Sequence, residues 1–500
     1  MTQSLFALFK AGELALFCLS AFLLFHRRTY AIAESGAFAI FAVLLTLLAV
    51  IRTSMYLNTP VFLTVTEVMA LGVSLGILYL RREAWIPLAK SLRAHLEQHV
   101  WLLPVFYALL FFLGGCAIFN HSAHDAERHI YDFPLWYRGG NPFETLQVYY
   151  SRNAPGEGWG FFSCLAYLMI GFCTYALARR HAWPETAVVV TLIVLSLPRL
   201  VRLSITAETE LIVCSLSLLS ILCLYRTIEN PTLENLFFLV TTFIIGFNGR
   251  LFHVCFNAVL LLFCCLSLYR RHGATIWIGL ARSNVKRLFP LVFLLFLVGL
   301  STIPVAAPHE KPIKTAPNSD LSPEPLNEDG IHGAGANLTR FLFSSLQPGE
   351  PLDSLSAYIA GTSFSSFLNG LYAKHFQARL GDSGLAEPFR LATVPKKSGG
   401  WFGPLGFLMV LPAIGFALLR GSRRLKGMSL SLFGYCFLVA LVFAWTPAIV
   451  EYFCLLFTCG GYIVSHYLPP WRLTRKGRIL FMVISLVLMV YTAIAIYPFP

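Results

Sequence analysis

Charge is what this sequence has least of. Only 13% of its 500 residues are Asp, Glu, Lys or Arg, against 57% hydrophobic, and a water-soluble chain carries roughly twice that charged share. A soluble globular enzyme is therefore excluded, and an integral membrane protein is implied. Cysteines at metal or redox spacing are missing as well. The twelve cysteines, Cys18, Cys116, Cys264 and Cys265 among them, lie in or at the ends of apolar runs with no CxxC, which excludes a disulfide framework and a thiolate metal site. No Rossmann-like Gly-rich fingerprint marks a nucleotide site. The net charge of +13 does not point to nucleic acid, because Lys and Arg fall in short clusters at the ends of apolar runs, where the positive-inside bias puts them.

What is present is a series of apolar runs of about 20 residues, the length that spans a bilayer as a helix. They begin near residues 5, 31, 60, 101, 158, 184, 207, 234, 251, 287, 402, 428, 448 and 479. They predict an all-α, polytopic membrane protein with about 14 transmembrane helices. The N-terminal run has its charges inside or after the apolar stretch and is long for a signal-peptide core, so it reads as a retained helix. Between 234 and 268, Asn248, Gly249 and Arg250 interrupt the apolar stretch; two helices with a tight outer turn are expected there.

One set of loops receives Arg27-Arg28, Arg81-Arg82 with Lys90 and Arg93, Arg179-Arg180, Arg226, Arg270-Arg271 with Arg282, Lys286 and Arg287, Arg420 with Arg423, Arg424 and Lys426, and Arg472 with Arg475, Lys476 and Arg478. That side is expected to be cytoplasmic, which places both chain ends, the loop 120–157 and the segment 307–400 on the extracytoplasmic face of a cell inner or plasma membrane. The expected divisions are residues 1–100 (three N-terminal helices, then an amphipathic helix over 83–100), 101–306 (membrane core), 307–400 (extracytoplasmic loop with interfacial helices) and 401–500 (C-terminal helices). Within the third, 307–349 is rich in Pro, Asn, Asp, Glu and Gly and reads as irregular, whereas 352–380 returns to amphipathic helical spacing. The sequon at Asn337 is a three-residue match and carries no weight.

The chemistry concentrates in residues 120–145. Asp125, Glu127 and Asp132 sit there among His121, His124, His129 and Arg128, with Phe133, Trp136, Tyr137 and Phe143 suited to a membrane interface. A carboxylate can take a proton from an attacking hydroxyl, and cations stabilise a departing phosphate. Arg128, Arg202, Arg250, His253 and Lys374 fall on or near the outer face in this topology. Guanidinium forks match phosphate oxygens bidentately, which favours Arg128 and Arg250. Arg250 and His253 stand in apolar surroundings, where charge is costly unless it is paired or wet. Glu208 and Glu210 open a helix, where an acid serves either the reaction or the helix dipole. A transition metal on the loop histidines with Asp125 and Glu127 is the competing reading, and no HExxH spacing supports it.

These residues carry a resemblance. Asp125-Ala126-Glu127 resembles the acidic pair on the first outer loop of the GT-C superfamily of integral-membrane glycosyltransferases. ERHIYDFP, from Glu127 to Pro134, is similar to the D-x-x-x-Y-H-x-P segment of bacterial members that use polyprenyl-phosphate sugars. In that register Tyr131 and Pro134 match, Glu127 takes the place of the Asp and Asp132 that of the His, with His129 beside them; which of Asp125 and Glu127 is the base stays open. SLPRLVRLSITAETEL resembles the family's Pro-containing loop and following acid, here Glu208 or Glu210. FNGRLFH resembles its Gly-x-Lys segment, with Arg250 for Lys, and GGWFGP its "FGP" helix start. The resemblance implies an inverting glycosyltransferase that moves a sugar from a polyprenyl-phosphate donor to an extracytoplasmic lipid or cell-envelope glycan. It leaves a divalent cation open as cofactor and implies no other. An O-antigen polymerase or ligase, relying on Arg340, Lys374 and Arg390, is the second expectation, and a glycolipid transporter or flippase the third.

Overall fold

A helix in hydrocarbon satisfies its backbone internally and carries its charge at its ends, and that rule organises the fold. The computed structural model describes residues 2–26, 31–56, 60–98, 160–204, 209–247, 251–273, 330–346, 350–380, 402–446 and 452–468, together with 143, 146, 327, 389–391, 483 and 487. In chain order the helices are α1 (Thr2–Phe25), α2 (Ile32–Tyr56), α3 (Pro60–Leu80), α4 (Arg82–Gln98), α5 (Phe161–Arg179), α6 (Pro184–Leu195), α7 (Pro198–Ser204), α8 (Glu210–Glu229), α9 (Leu233–Gly246) and α10 (Leu251–His272). Beyond them come α11 (Gly330–Ser345), α12 (Glu350–Ala360), α13 (Phe364–Tyr372), α14 (Leu411–Arg420), α15 (Arg423–Val442) and α16 (Cys454–Gly460). Among the described residues six helices are long and apolar enough to cross a membrane, or up to eight if each of two bent pairs is one span. The runs expected near 101 and 287, and the one near 479 apart from positions 483 and 487, lie outside the described residues. None of the eleven described cysteines forms a disulfide.

Helix α8 is the centre. Nearly every residue from Glu210 to Ile228 is buried, with α5, α9, α10 and α16 packed around it. A helix apolar on all sides is stable only when other helices or lipid surround it. Its two ends carry the charge. At one end Arg226 pairs with Glu34 of α2 and donates through Nε to Asn235 Oδ1 at 3.1 Å, while Arg180 reaches Glu34 at 2.8 Å and also Glu229. Thr232 caps α9 by accepting from Asn235 N, and His272 at the end of α10 meets Ile228 O at 3.1 Å. The clusters Arg179-Arg180, Arg226 and Arg270-Arg271, with Arg420, Arg423 and Arg424 beside Tyr225, thus meet at one basic end of the bundle, as their alternation in sequence predicts.

The N-terminal helices lean on this core through α2. Phe38 and Phe238 approach to 4.7 Å between centroids, flanked by Phe25 and Phe41. Within the unit, Lys10 of α1 contacts Glu13 and Glu67 of α3 at 2.9 Å each, a pairing that makes charge tolerable inside a membrane.

Two expectations are corrected. The run starting at 184 is not one straight helix: α6 and α7 meet at a bend of 72°, because Pro198 has no N–H to continue the ladder and disfavours helical geometry before it. The buried Tyr167 hydroxyl donates to the carbonyl of Leu195 at that break. Residues 307–349 are not irregular throughout, since α11 fills 330–345. Gly333, Ala334, Asn337, Arg340, Phe341 and Ser344 form its buried stripe at helical spacing, and it packs on α15. The Asn337 side chain is buried and donates to Ala440 O and Phe443 O at 3.1 and 3.0 Å, which removes the sequon from any glycosylating enzyme.

Glu34 holds two arginines at a nearly closed site, so Glu34→Ala is expected to cost roughly 3 kcal/mol. The measurement is the unfolding midpoint in detergent, with an E34A/R226A cycle. Purely additive effects of the two substitutions would contradict the ion pair's role.

Candidate active site

The end of the bundle opposite the arginines is built from helix breaks. Helix α8 leaves the basic end backwards from Arg226 to Glu210. The hairpin through Asn230 carries α9 in the same direction to Gly246, and α10 returns. The carbonyl of Gly246 accepts from Asn257 Nδ2 at 2.9 Å, so a side chain of α10 caps α9 where no further turn can. A Cβ at Gly246 would stand 2.8 Å from that nitrogen, which explains the small residue there. On α15 the last carbonyls, of Ala440, Leu441 and Phe443, accept from Asn327 and Asn337. Tyr435 donates to Tyr452 O at 2.8 Å.

Glu210 lies at this far end. It is the first residue of α8, buried, and its carboxylate meets Arg199 of α7 at 3.3 Å, with side-chain exposures of 5% and 1%. The pair therefore sits just beyond the 72° bend, where the chain turns from α7 into α8. Sequence reasoning named Arg202 and missed Arg199; both stand in the same apolar run, and its residue types do not distinguish the one that turns inward. The ion pair gives Glu210 a structural partner. Its carboxylate neutralises a buried guanidinium as well as complementing the helix dipole.

His253 is fully buried in the first turn of α10. Its ring lies against Phe252, 3.9 Å between centroids, and Phe252 stacks on Tyr452 at 4.0 Å. Phe443 also approaches Tyr452, at 5.6 Å between centroids. Gly403, at φ +67°, turns the chain in the left-handed region, Pro404 follows at a helix start, and Phe402 stacks on Phe457 at 4.2 Å. The "FGP" stretch thus starts a helix as its resemblance implies.

Helices α12 and α13 lie at the same far end, α13 joined to α11 by Arg340. Its guanidinium donates to Tyr372 Oη at 3.3 Å, Asn337 Oδ1 at 3.0 Å and Leu380 O at 3.0 Å. Asp353 accepts from Ser365 N at 2.8 Å, and Ser363 caps α13. Lys374 stands exposed in the π-helical turn Ala373–Gln377. The structure therefore brings Glu210, His253 and Lys374 to one end, away from the basic clusters. Asp125, Glu127, Arg128, His129, Tyr131, Asp132, Glu208 and Arg250 lie outside the described residues. Among the described residues no three His, Cys, Asp or Glu side chains converge as a metal site.

Residues 153–298 match the family model described as dolichyl-phosphate-mannose-protein mannosyltransferase. The match covers under a third of the chain and takes in α5 to α10, the helices that carry Arg199, Glu210 and His253. It supports a membrane glycosyltransferase of the GT-C type, in line with the resemblance drawn from the motifs, and it begins after the acidic loop. No curated protein and no solved structure matches the chain.

Glu210→Gln is expected to leave Arg199 buried without its carboxylate, at a cost of roughly 3–5 kcal/mol. The double change R199M/E210M is expected to recover most of that loss. Thermal unfolding of the detergent-solubilised protein checks both, and an E210Q midpoint equal to the parent's would contradict the pairing.

Proposed function

We propose that this protein is an inverting glycosyltransferase that takes a sugar from a polyprenyl-phosphate carrier and adds it to an extracytoplasmic hydroxyl. The observation that carries the reading is the family match over α5 to α10. It falls on the same helices whose far ends gather buried charged and polar groups opposite the basic face. A lipid-borne donor suits a site built between helix ends, with its phosphate at the boundary and its tail in hydrocarbon. The matched family's description names a lipid-phosphate sugar of that kind.

In the proposed reaction a carboxylate of the 120–145 loop, Asp125 or Glu127, takes the proton of the acceptor hydroxyl. The acceptor oxygen bonds to the anomeric carbon from the face opposite the phosphate. The bond from that carbon to the phosphate oxygen breaks, its electron pair leaves with the lipid phosphate, and the configuration inverts once. Arg128 and Arg250 meet the charge that grows on the phosphate, with His253 and Lys374 supporting. Glu208 is the second acid proposed to serve this end, two positions before Glu210, whose pairing with Arg199 holds the start of α8. The acceptor is a lipid or cell-envelope glycan; the protein hydroxyl named by the matched family is the competing outcome of the assay. A divalent cation on the loop acids would supply further positive charge at the phosphate, and no step above depends on it.

The ligase reading loses ground on one observation. Arg340, which it would need free for substrate, is buried and each of its three nitrogens already donates inside the protein, to Tyr372, Asn337 and Leu380.

Asp125→Asn and Glu127→Gln, each assayed in membranes for transfer from a radiolabelled polyprenyl-phosphate sugar, are expected to lower the rate differently. Loss of the base should reduce it by about 10²–10⁴-fold, and its neighbour's loss by less. Full activity in both variants defeats the assignment. A cysteine placed at 422 is expected to react with an impermeant maleimide only after the cells are opened, and one at 125 in intact cells; the reverse pattern would overturn the proposed sidedness.

A further inference from the structure

The basic end carries an open hollow that the transfer chemistry does not use. It is a cavity of about 640 Å³ lined by His181, Tyr225, Arg420, Arg423, Arg424 and His466, among others. They come from five places in the chain: the turn after α5, the body of α8, the last residue of α14, the first turn of α15 and the end of the 3₁₀ turn Gly461–His466. The rings of His181 and His466 lie 4.4 Å apart, and the Tyr225 hydroxyl meets that of Tyr462 at 3.2 Å.

Two observations separate this hollow from an ordinary positively charged rim. Arg180 and Arg226, at the same end, are locked onto Glu34 and Glu229. Arg420, Arg423 and Arg424 have no ion pair or hydrogen bond among the described residues. The positive end of the 20-residue α15 faces the same space, with Ser422 as its cap. Burial first, then Arg180 and more weakly Arg424, push the His181 imidazole below its ordinary value against the opposing pull of Glu229. Positive potential with donors left over is what phosphate oxygens neutralise. The volume falls within the range of about 300–1,000 Å³ typical of small-molecule sites, which leaves room for a group esterified to that phosphate.

We propose that this hollow binds a phosphate group at the basic end of the bundle, separate from the transfer site at the far end. Two sources share that chemistry: a soluble phosphate compound and the headgroup of an anionic lipid lying against the helix ends. The test uses the full chain in phosphatidylcholine nanodiscs. Inorganic phosphate is titrated by equilibrium dialysis in one arm. In the other, phosphatidic acid is doped into the nanodisc and retained lipid is counted by native mass spectrometry. Arg423→Ala with Arg424→Ala is expected to weaken binding by about tenfold or more, the loss of one charge-assisted hydrogen bond. Arg270→Ala with Arg271→Ala, exposed at the same end but outside the hollow, is expected to change it little. Saturable binding of phosphate identifies a soluble ligand, and retention of phosphatidic acid identifies a headgroup. Equal losses in the pocket and control variants, or saturation by neither probe, would overturn the proposal. Binding is read without sugar transfer, so the result stands apart from the outcome at Asp125 and Glu127.

Discussion

Hydrocarbon tolerates almost no unpaired charge, and α8 shows what that constraint does to the whole bundle. The helix is buried along its length, so its charged residues can sit only at its two ends, and each must find a partner there. Arg226 meets Glu34 at one end, and Glu210 meets Arg199 at the other. Those two pairings set which helices lie beside α8. Glu34 brings in α2 and with it the N-terminal unit, while Arg199 fixes α7 and hence the bend that follows α6. A fold whose apolar surfaces are nearly interchangeable acquires specific neighbours from a few polar contacts, since lipid competes with apolar packing on equal terms and competes poorly for an ion pair.

The two ends differ in kind. At the basic end the chain makes short connections between helices; Arg180 and Arg226 clasp Glu34, and Arg420, Arg423 and Arg424 line the hollow beside His181 and His466. At the far end the helices stop short, bend or change pitch. Their open carbonyls are answered by side chains: Tyr167 for Leu195, Asn257 for Gly246, and Asn327 and Asn337 for the end of α15. Irregular backbone at membrane depth persists only where protein or a wet cavity supplies the missing bonds. A site that must receive both a lipid carrier and a polar acceptor needs such an end. The family match over α5 to α10 falls on the helices that build it.

Much of this was legible beforehand. The apolar runs at 5, 31, 158, 207, 251 and 428 correspond to helices that can span a membrane, because about 20 apolar residues have few other uses. The interruption at Asn248 to Arg250 does separate two helices, and the amphipathic stretch at 352–380 is helical. Helix α11 was not legible as a helix. Its glycines and alanines have low hydrophobicity, and its stripe of Asn337, Arg340 and Ser344 looks like solvent-facing polarity until α15 is set against it. Arg199 was overlooked for a related reason, since nothing in SLPRLVRLS says which arginine turns inward.

Residue types in order therefore determined that the chain is helical and membrane-bound, which loops share a charge, and where acids and aromatics concentrate. These follow from composition and from the length of bilayer a helix must cross, and both are local properties. Only the tertiary structure decided that Glu210 serves Arg199, that Asn337 and Arg340 tie α11 to its neighbours, and that His181 and His466 meet across nearly 300 positions with three arginines around them. Pairing between distant charges depends on which helices become adjacent. That choice is made by packing and by the cost of leaving a buried charge alone, neither of which is written at any single stretch of the sequence.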